Sequence, residues 1–350
     1  MSHELIFFVS FALFVILMLA VDLGVFHKKD TPVSFNQAAI MSAVWVSFAL
    51  VFYFLLKTEG HELHDIQNQA QLEQIVRQNL HQVDISSLNF QENLIAYKNA
   101  VSLEFITGYV IEYALSVDNI FVMVLIFSAF GVDEKYYHRV LFWGIIGAVL
   151  MRFLFIFLGA ALLQKFDWII YVFGAFLVYT GVKILFSKHE EEEIDTANHP
   201  VVRLLSKFFN VYKRNVIGYF FVRMKNTGKI FITPIFIVVV VIAFTDILFA
   251  VDSIPAIFSI SKDPYIVFFS NVFAVMGLRS LFFFLSSLMG LFRFLPMGLG
   301  VLLSFVGGKM LAHSKLEEWG FGTLSSLGVI IGILTISILL SVLFPAKKEA

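Results

Sequence analysis

Four carboxylates interrupt stretches of sequence that are otherwise apolar. Glu112 and Asp118 lie near the middle of one stretch and Asp246 and Asp252 near the middle of another, and in both the first acid is followed after five residues by an Asp. A charge at that depth in a bilayer costs about 2.5 to 3.5 kcal/mol to insert, so such residues normally face a cavity and mark an ion path or a proton relay. A neutral oxygen donor follows each second acid, Asn119 in one stretch and Ser253 in the other. On a regular helix, residues six apart point about 120° away from each other, so convergence of both acids of one stretch on a single site predicts a broken helix. Pro255, three residues after Asp252, is the candidate breaker, and backbone carbonyls freed beside it are candidate extra ligands. All nine histidines fall at the ends of apolar stretches or between them, and there is no cysteine. An oxygen-only donor set suits a hard or borderline divalent cation, Mn²⁺, Mg²⁺ or Ca²⁺, better than Zn²⁺ or Cu⁺.

The elements that must hold these acids are membrane spans. Of 350 residues, 59% are hydrophobic and only 15% charged, Phe alone supplies 42, and the mean hydropathy is +0.85, well outside the composition of soluble domains. The fold class is an all-α polytopic membrane protein. Apolar runs of bilayer length fall at roughly 5–26, 36–56, 102–127, 139–163, 167–186, 233–258, 265–287, 294–312 and 321–343, giving nine transmembrane helices in a single membrane domain over 1–350. The connections after odd-numbered runs, with the C-terminal tail, hold 15 Lys and Arg against 6 in the others. The positive-inside rule then puts the N-terminus outside, the C-terminus in the cytoplasm, the acidic connection 57–101 outside and the connection 187–232 inside. Within the latter, Leu204 to Tyr212 reads as an amphipathic helix at the membrane surface. A net charge of -1 gives no field for nucleic acid, the absence of Cys closes thiol redox chemistry, and no Gly-rich phosphate loop with Lys-Ser/Thr is present to hydrolyse ATP.

Three successive spans repeat. The segment from Glu112 to Asn119 aligns with Asp246 to Ser253, Arg152-Phe-Leu-Phe with Arg279-Ser-Leu-Phe, and Gly174, Gly181 and Lys183 with Gly300, Gly307 and Lys309. Copies at 102–186 and 233–312 that each contain three spans enter the bilayer from opposite sides, an inverted-topology repeat of the kind that places a transporter's substrate site at the midplane between the copies. Arg152 and Arg279 are candidate partners for the acids, and Lys183 and Lys309 are either snorkelling ends or a gating pair. Asp22, near the end of the first span, reads equally as an interfacial charge or as a further ligand, and Asn271 as a helix-to-helix hydrogen bond.

The same residues carry a resemblance. Glu112-Tyr-Ala-Leu-Ser-Val-Asp-Asn-Ile-Phe-Val, Phe166-Asp-Trp-Ile, Thr245-Asp-Ile-Leu-Phe-Ala-Val-Asp-Ser-Ile-Pro-Ala-Ile-Phe and Ser270-Asn-Val-Phe-Ala-Val-Met-Gly-Leu-Arg-Ser resemble the TerC family, in particular its Alx-like members. The resemblance implies a bacterial inner-membrane protein tied to tellurium resistance, alkaline response and Mn²⁺ efflux. By motif it points to Glu112, Asp118, Asp246 and Asp252, with Asn119, Ser253 and Asp22 as partners. The acidic connection 57–101 is longer than in Alx-like members. Four midplane carboxylates would repel an oxyanion, which argues against tellurite as cargo. The leading expectation is a secondary transporter, not an enzyme, that exports Mn²⁺ by alternating access in exchange for protons and needs no cofactor. The alternative is a membrane scaffold of a stress-response complex that transports nothing.

Overall fold

The computed structural model describes residues 7, 9–18, 33–79, 81–87, 89–166, 168–186, 200–211, 219–223, 229–286, 294–312, 315–316 and 321–344, with the backbone alone at 118, 121, 164, 248, 251 and 252. Asp22 and the side chains of Asp118 and Asp252 lie outside this description.

The chain is a bundle of helices. In order they are α1 (Val9–Met18), α2 (Phe35–Glu59), α3 (Gln69–Asn79), α4 (Phe90–Ala129), α5 (Tyr137–Lys165), α6 (Ile169–Phe186), α7 (Pro200–Phe208), α8 (Pro234–Phe258), α9 (Pro264–Ser286), α10 (Leu295–Leu311) and α11 (Thr323–Leu343). Among the described residues six helices are long and apolar enough to cross a membrane, and α1, α10 and the first part of α8 are shorter apolar helices. Starts are set by local chemistry. Ser34 and Gln37 form a capping box on α2, Asn89 caps α4 through the Gln91 amide, and Thr233 caps α8 ahead of Pro234 in its first turn.

The buried centre is α9, enclosed along nearly its whole length by α2, α4 and α5. Elsewhere α5 packs on α8, α6 on α10, and α11 on α10. Phe11, Phe52, Phe105, Phe269 and Phe273 interlock at one end of this core with ring centroids 4.3 to 5.8 Å apart. On the outside, Leu150, Leu154 and Ile331 stay exposed, the surface that a lipid-solvated bundle presents. Small residues let backbones approach: a Cβ at Gly307 would meet the Gly174 carbonyl at 2.6 Å, and one at Gly300 the Gly181 carbonyl at 3.0 Å, so α6 and α10 touch at two levels.

Three expectations change in detail. α8 runs unbroken through Pro255. The proline stands in the last turn, where its missing N–H removes one ladder bond and too little helix follows for the axis to be redirected. α4 starts at Phe90, about three turns before the apolar run, because capping and local side-chain bonds extend a helix past the edge of its apolar stretch. The surface helix of the connection 187–232 is found at Pro200–Phe208, and it leads into a small sheet of β1 (Asn210–Val211), β2 (Phe221–Arg223) and β3 (Ile230–Ile232) in the order β1-β3-β2. β1 runs parallel and β2 antiparallel to β3, with Asn210 opposite Phe231 and Val222 opposite Phe231 on its other side.

Candidate ion-binding site

Close helix approach assembles the polar centre. A Cβ at Gly108 would meet Ser270 Oγ at 2.9 Å, and one at Gly147 would meet Ala243 Cβ at 3.3 Å. α4 is therefore drawn against α9, and α5 against α8, within two turns of the charged residues. Arg152 of α5, fully buried, reaches both neighbours. Its Nε and Nη2 donate to the two carboxylate oxygens of Asp246, each at 3.2 Å, in the two-point geometry that a planar guanidinium favours. Its Nη1 donates to Glu112 Oε1 and, at 2.6 Å, to Asn271 Oδ1. Asn271 in turn donates to the Val267 carbonyl at 3.1 Å, which holds its oxygen toward the arginine. One cation thus joins the corresponding acids of the two sequence copies, and all four side chains are withdrawn from the surface.

Below this pair lies a small cavity of about 40 Å³ lined by Leu115, Asn119, Ile184, Phe249, Ser253, Leu299 and Leu303. It has room for a single ion or one or two waters. Leu115 and Phe249 occupy corresponding positions of the two copies, as do Asn119 and Ser253. Both polar residues are buried, and Ser253 Oγ has no hydrogen-bond partner among the described residues. The backbones of Asp118 and Asp252 precede these two donors by one residue on α4 and α8.

The remaining candidates separate. Arg279 is buried on α9. Lys183 is exposed on α6, whereas Lys309 is buried and donates to the Ser259 carbonyl at 3.3 Å, so the two repeated lysines have different surroundings.

A second polar group escaped the sequence reading. At the end of the bundle that carries residues 60–87, His81 Nδ1 lies 2.9 and 3.0 Å from the oxygens of Glu104, and Ser261 Oγ donates to the same carboxylate at 2.6 Å. Asp263 Oδ2 lies 2.7 Å from His64 Nε2 and 3.6 Å from His81 Nε2. Burial disfavours a charge on His81, but Glu104 and Asp263 outweigh it and raise its pKa to about 10. Burial likewise opposes the charge of Asp263, yet His64 and His81 hold its carboxyl well below the usual range. Its members are separated by up to 199 residues in sequence, and an acid just before Pro264 reads as a helix cap. Asp263 does cap α9, accepting from the Tyr265 amide at 2.9 Å.

Residues 97–349 match the family model described as the integral membrane protein TerC family. An uncharacterized membrane protein of Myxococcus xanthus, STKORF319, is 40% identical over 95% of this chain and 91% of its own length. Proteins named "Putative membrane-bound redox modulator Alx" from Salmonella typhi and Escherichia coli K12 are 37% and 36% identical, each over 95% of this chain and 92% of the relative. No solved structure matches the chain.

Proposed function

The chain belongs to the TerC family of multi-pass integral membrane proteins, and from that premise we propose that it exports a divalent cation, Mn²⁺ before others, across the bacterial inner membrane in exchange for protons. The carrying observation is the small cavity in which corresponding residues of the two copies, Asn119 and Ser253, offer neutral oxygens. On this reading Asp118 and Asp252, each one residue earlier, supply the two negative charges that a +2 ion requires, and their side chains complete the oxygen donor set. Glu112 and Asp246 share the single positive charge of Arg152, which leaves one negative charge over between them. They set the local field and take part in opening rather than ligating the ion directly. Asp22 stays a candidate partner by motif.

The order of helix contacts supports a site between inverted copies. Exchanging the copies maps the α4 and α9 contact onto that of α8 and α5, and maps the pairs α4 with α8, α5 with α9 and α6 with α10 onto themselves, and each of these pairs is packed. The positive-inside rule orients the C-terminus to the cytoplasm and residues 57–101 to the outside. The relatives' name refers to redox modulation, but a chain without Cys has no thiol couple of its own, and moving a redox-active metal offers a route to such an effect.

Proteoliposomes loaded with a Mn²⁺-quenched dye test the reading. Wild type should quench the dye, and Asp118→Asn and Asp252→Asn should each abolish the flux while inserting normally, since each removes a charge that the ion needs. Normal flux in both variants would remove the site, and no flux in wild type would favour a scaffold.

A further inference from the structure

His64, His81, Glu104 and Asp263 are not needed to hold the cation, yet the last three are buried and His64 half-buried at one end of the bundle that holds the cavity. Glu104 stands eight residues before Glu112 on α4, about 12 Å along the axis, and Ser261 and Asp263 follow α8 directly on the way into α9. His64 closes the short helix after α2, and His81 lies in the segment between α3 and α4. The cluster therefore joins the extramembrane segment 60–87 to three elements of the bundle.

The charges show what holds that joint. Two carboxylates, Glu104 and Asp263, are removed from water, at a cost that only paired charge and hydrogen bonds offset. Among the described residues His81 pairs with both of them, with one ring nitrogen toward each. The other groups facing the imidazole are the Tyr97 ring, edge-on at 5.4 Å, and, across the carboxylates, His64 and Ser261, with Lys309 acting on Glu104 from α10. The Tyr97 hydroxyl is buried without a hydrogen-bond partner among the described residues, and so is His81 Nε2, which lies too far from Asp263 for a good hydrogen bond. The contact of His81 with Asp263 is held by charge more than by hydrogen-bond geometry, and charge on an imidazole is removable.

We propose that this cluster is a proton-operated latch, in which the proton bound by His81 clamps segment 60–87 onto α4, α9 and the end of α8, and its loss releases the segment and opens that end of the transport core. With the proton gone, Glu104 and Asp263 face a neutral ring in a dry site, and the least costly response is to admit water by letting the segment lift. The raised pKa of His81 puts release on the alkaline side of neutrality, near pH 10. The latch is independent of the cargo assigned above, because it concerns only the protein's own conformation.

Pulsed electron paramagnetic resonance on the full chain in lipid nanodiscs tests it, since spin labels can be placed on a background free of Cys. One pair, Gln74→Cys with Lys165→Cys, spans the segment and the C-terminal end of α5. A control pair, Lys165→Cys with Leu311→Cys, lies wholly on the bundle. The first pair should give one narrow distance at pH 7 and a broad, longer distribution at pH 10.5, while the control stays narrow at both. His81→Gln should be broad already at pH 7, and His81→Gln combined with Glu104→Gln, which removes one of the two uncompensated charges, should be narrower than the single variant at both values. A first pair unchanged up to pH 10.5, a control that broadens with it, or a double variant as broad as the single one would each overturn the latch. If His81→Gln does not fold, the wild-type pH series with its control decides alone.

Discussion

An arginine held by two carboxylates and an amide is worth most as the neutraliser of its partners. Removing Arg152 leaves Glu112 and Asp246 as uncompensated buried acids, so Arg152→Ala should lower stability by roughly 3 to 5 kcal/mol, read as a loss of thermal stability in detergent. Adding Glu112→Gln and Asp246→Asn to that variant should restore much of the loss, because neutral amides can bond to one another. If the triple variant is as unstable as the single one, the cost lies in packing and the charge argument fails. His81 gives a second prediction. Its folded pKa is raised from the ordinary 6.5 to about 10, so the stability it contributes is complete below about pH 6.5 and is lost as pH rises through about 10. Thermal stability of wild type should fall across that window, whereas that of the His81→Gln, Glu104→Gln double variant should stay flat. A parallel fall in both would assign the pH dependence elsewhere. At this scale the sequence was informative where a residue type contradicts its surroundings: an acid in an apolar run is visible at once. That Glu112 and Asp246 share one arginine was not visible, because helical phase relates residues within one helix and says nothing about which neighbour closes on them. Glu104 and Asp263 were hidden for the opposite reason, since acids at span ends look solvated until the segment that buries them is in place.

Helices in a lipid-solvated bundle gain little from hiding apolar side chains, which lipid solvates equally well, so close backbone approach decides which pairs form. The contact of α6 with α10 rests on this. Gly307 and Gly308 are adjacent on α10, yet a Cβ at 307 would meet Val178 N at 2.7 Å as well as the Gly174 carbonyl, and one at 308 would meet nothing within 4 Å. Gly307→Ala should therefore cost about 1 to 3 kcal/mol by overpacking, while Gly308→Ala should be neutral or stabilising by up to about 1 kcal/mol from helix propensity. Thermal unfolding of the two variants checks the pair, and equal effects would mean that α6 and α10 do not meet at these glycines. Glycine spacing in the sequence pointed to packing, but which strip faces which follows only from the antiparallel crossing that sets Gly174 against Gly307. Element boundaries were the less legible part. A hydropathy run measures how far the chain is apolar, and α4 continues three turns beyond its run under the control of caps. Pro255 looked like a break because a proline inside a helix removes a bond and adds a clash, and both matter little one turn from the end.

At the level of the whole molecule, composition alone made the membrane class legible, since a chain this apolar has no water-covered solution. The folded state of segment 60–87 was not legible, for its helices are short and polar and are fixed by burial of Leu63, Ile66, Leu72 and Val76 against the bundle. The proposed exchange mechanism requires that the two copies swap their exposure to the two sides, and this has a consequence for residues at corresponding positions. Ala114 and Leu248 are such a pair, two residues into each charged motif, on α4 and α8. On the proposed inverted repeat the copies run through the bilayer in opposite directions, so a state open to one side exposes one of these positions and shields the other, and the opposite state reverses them. A membrane-impermeant thiol reagent added from outside should therefore label Ala114→Cys and Leu248→Cys to different extents. The ranking should invert when the reagent is added from inside, and Mn²⁺ should change the labelling of both. Equal labelling from both sides that does not respond to the metal would describe a static cavity, and alternating access would fail even if the carboxylates still bound the ion.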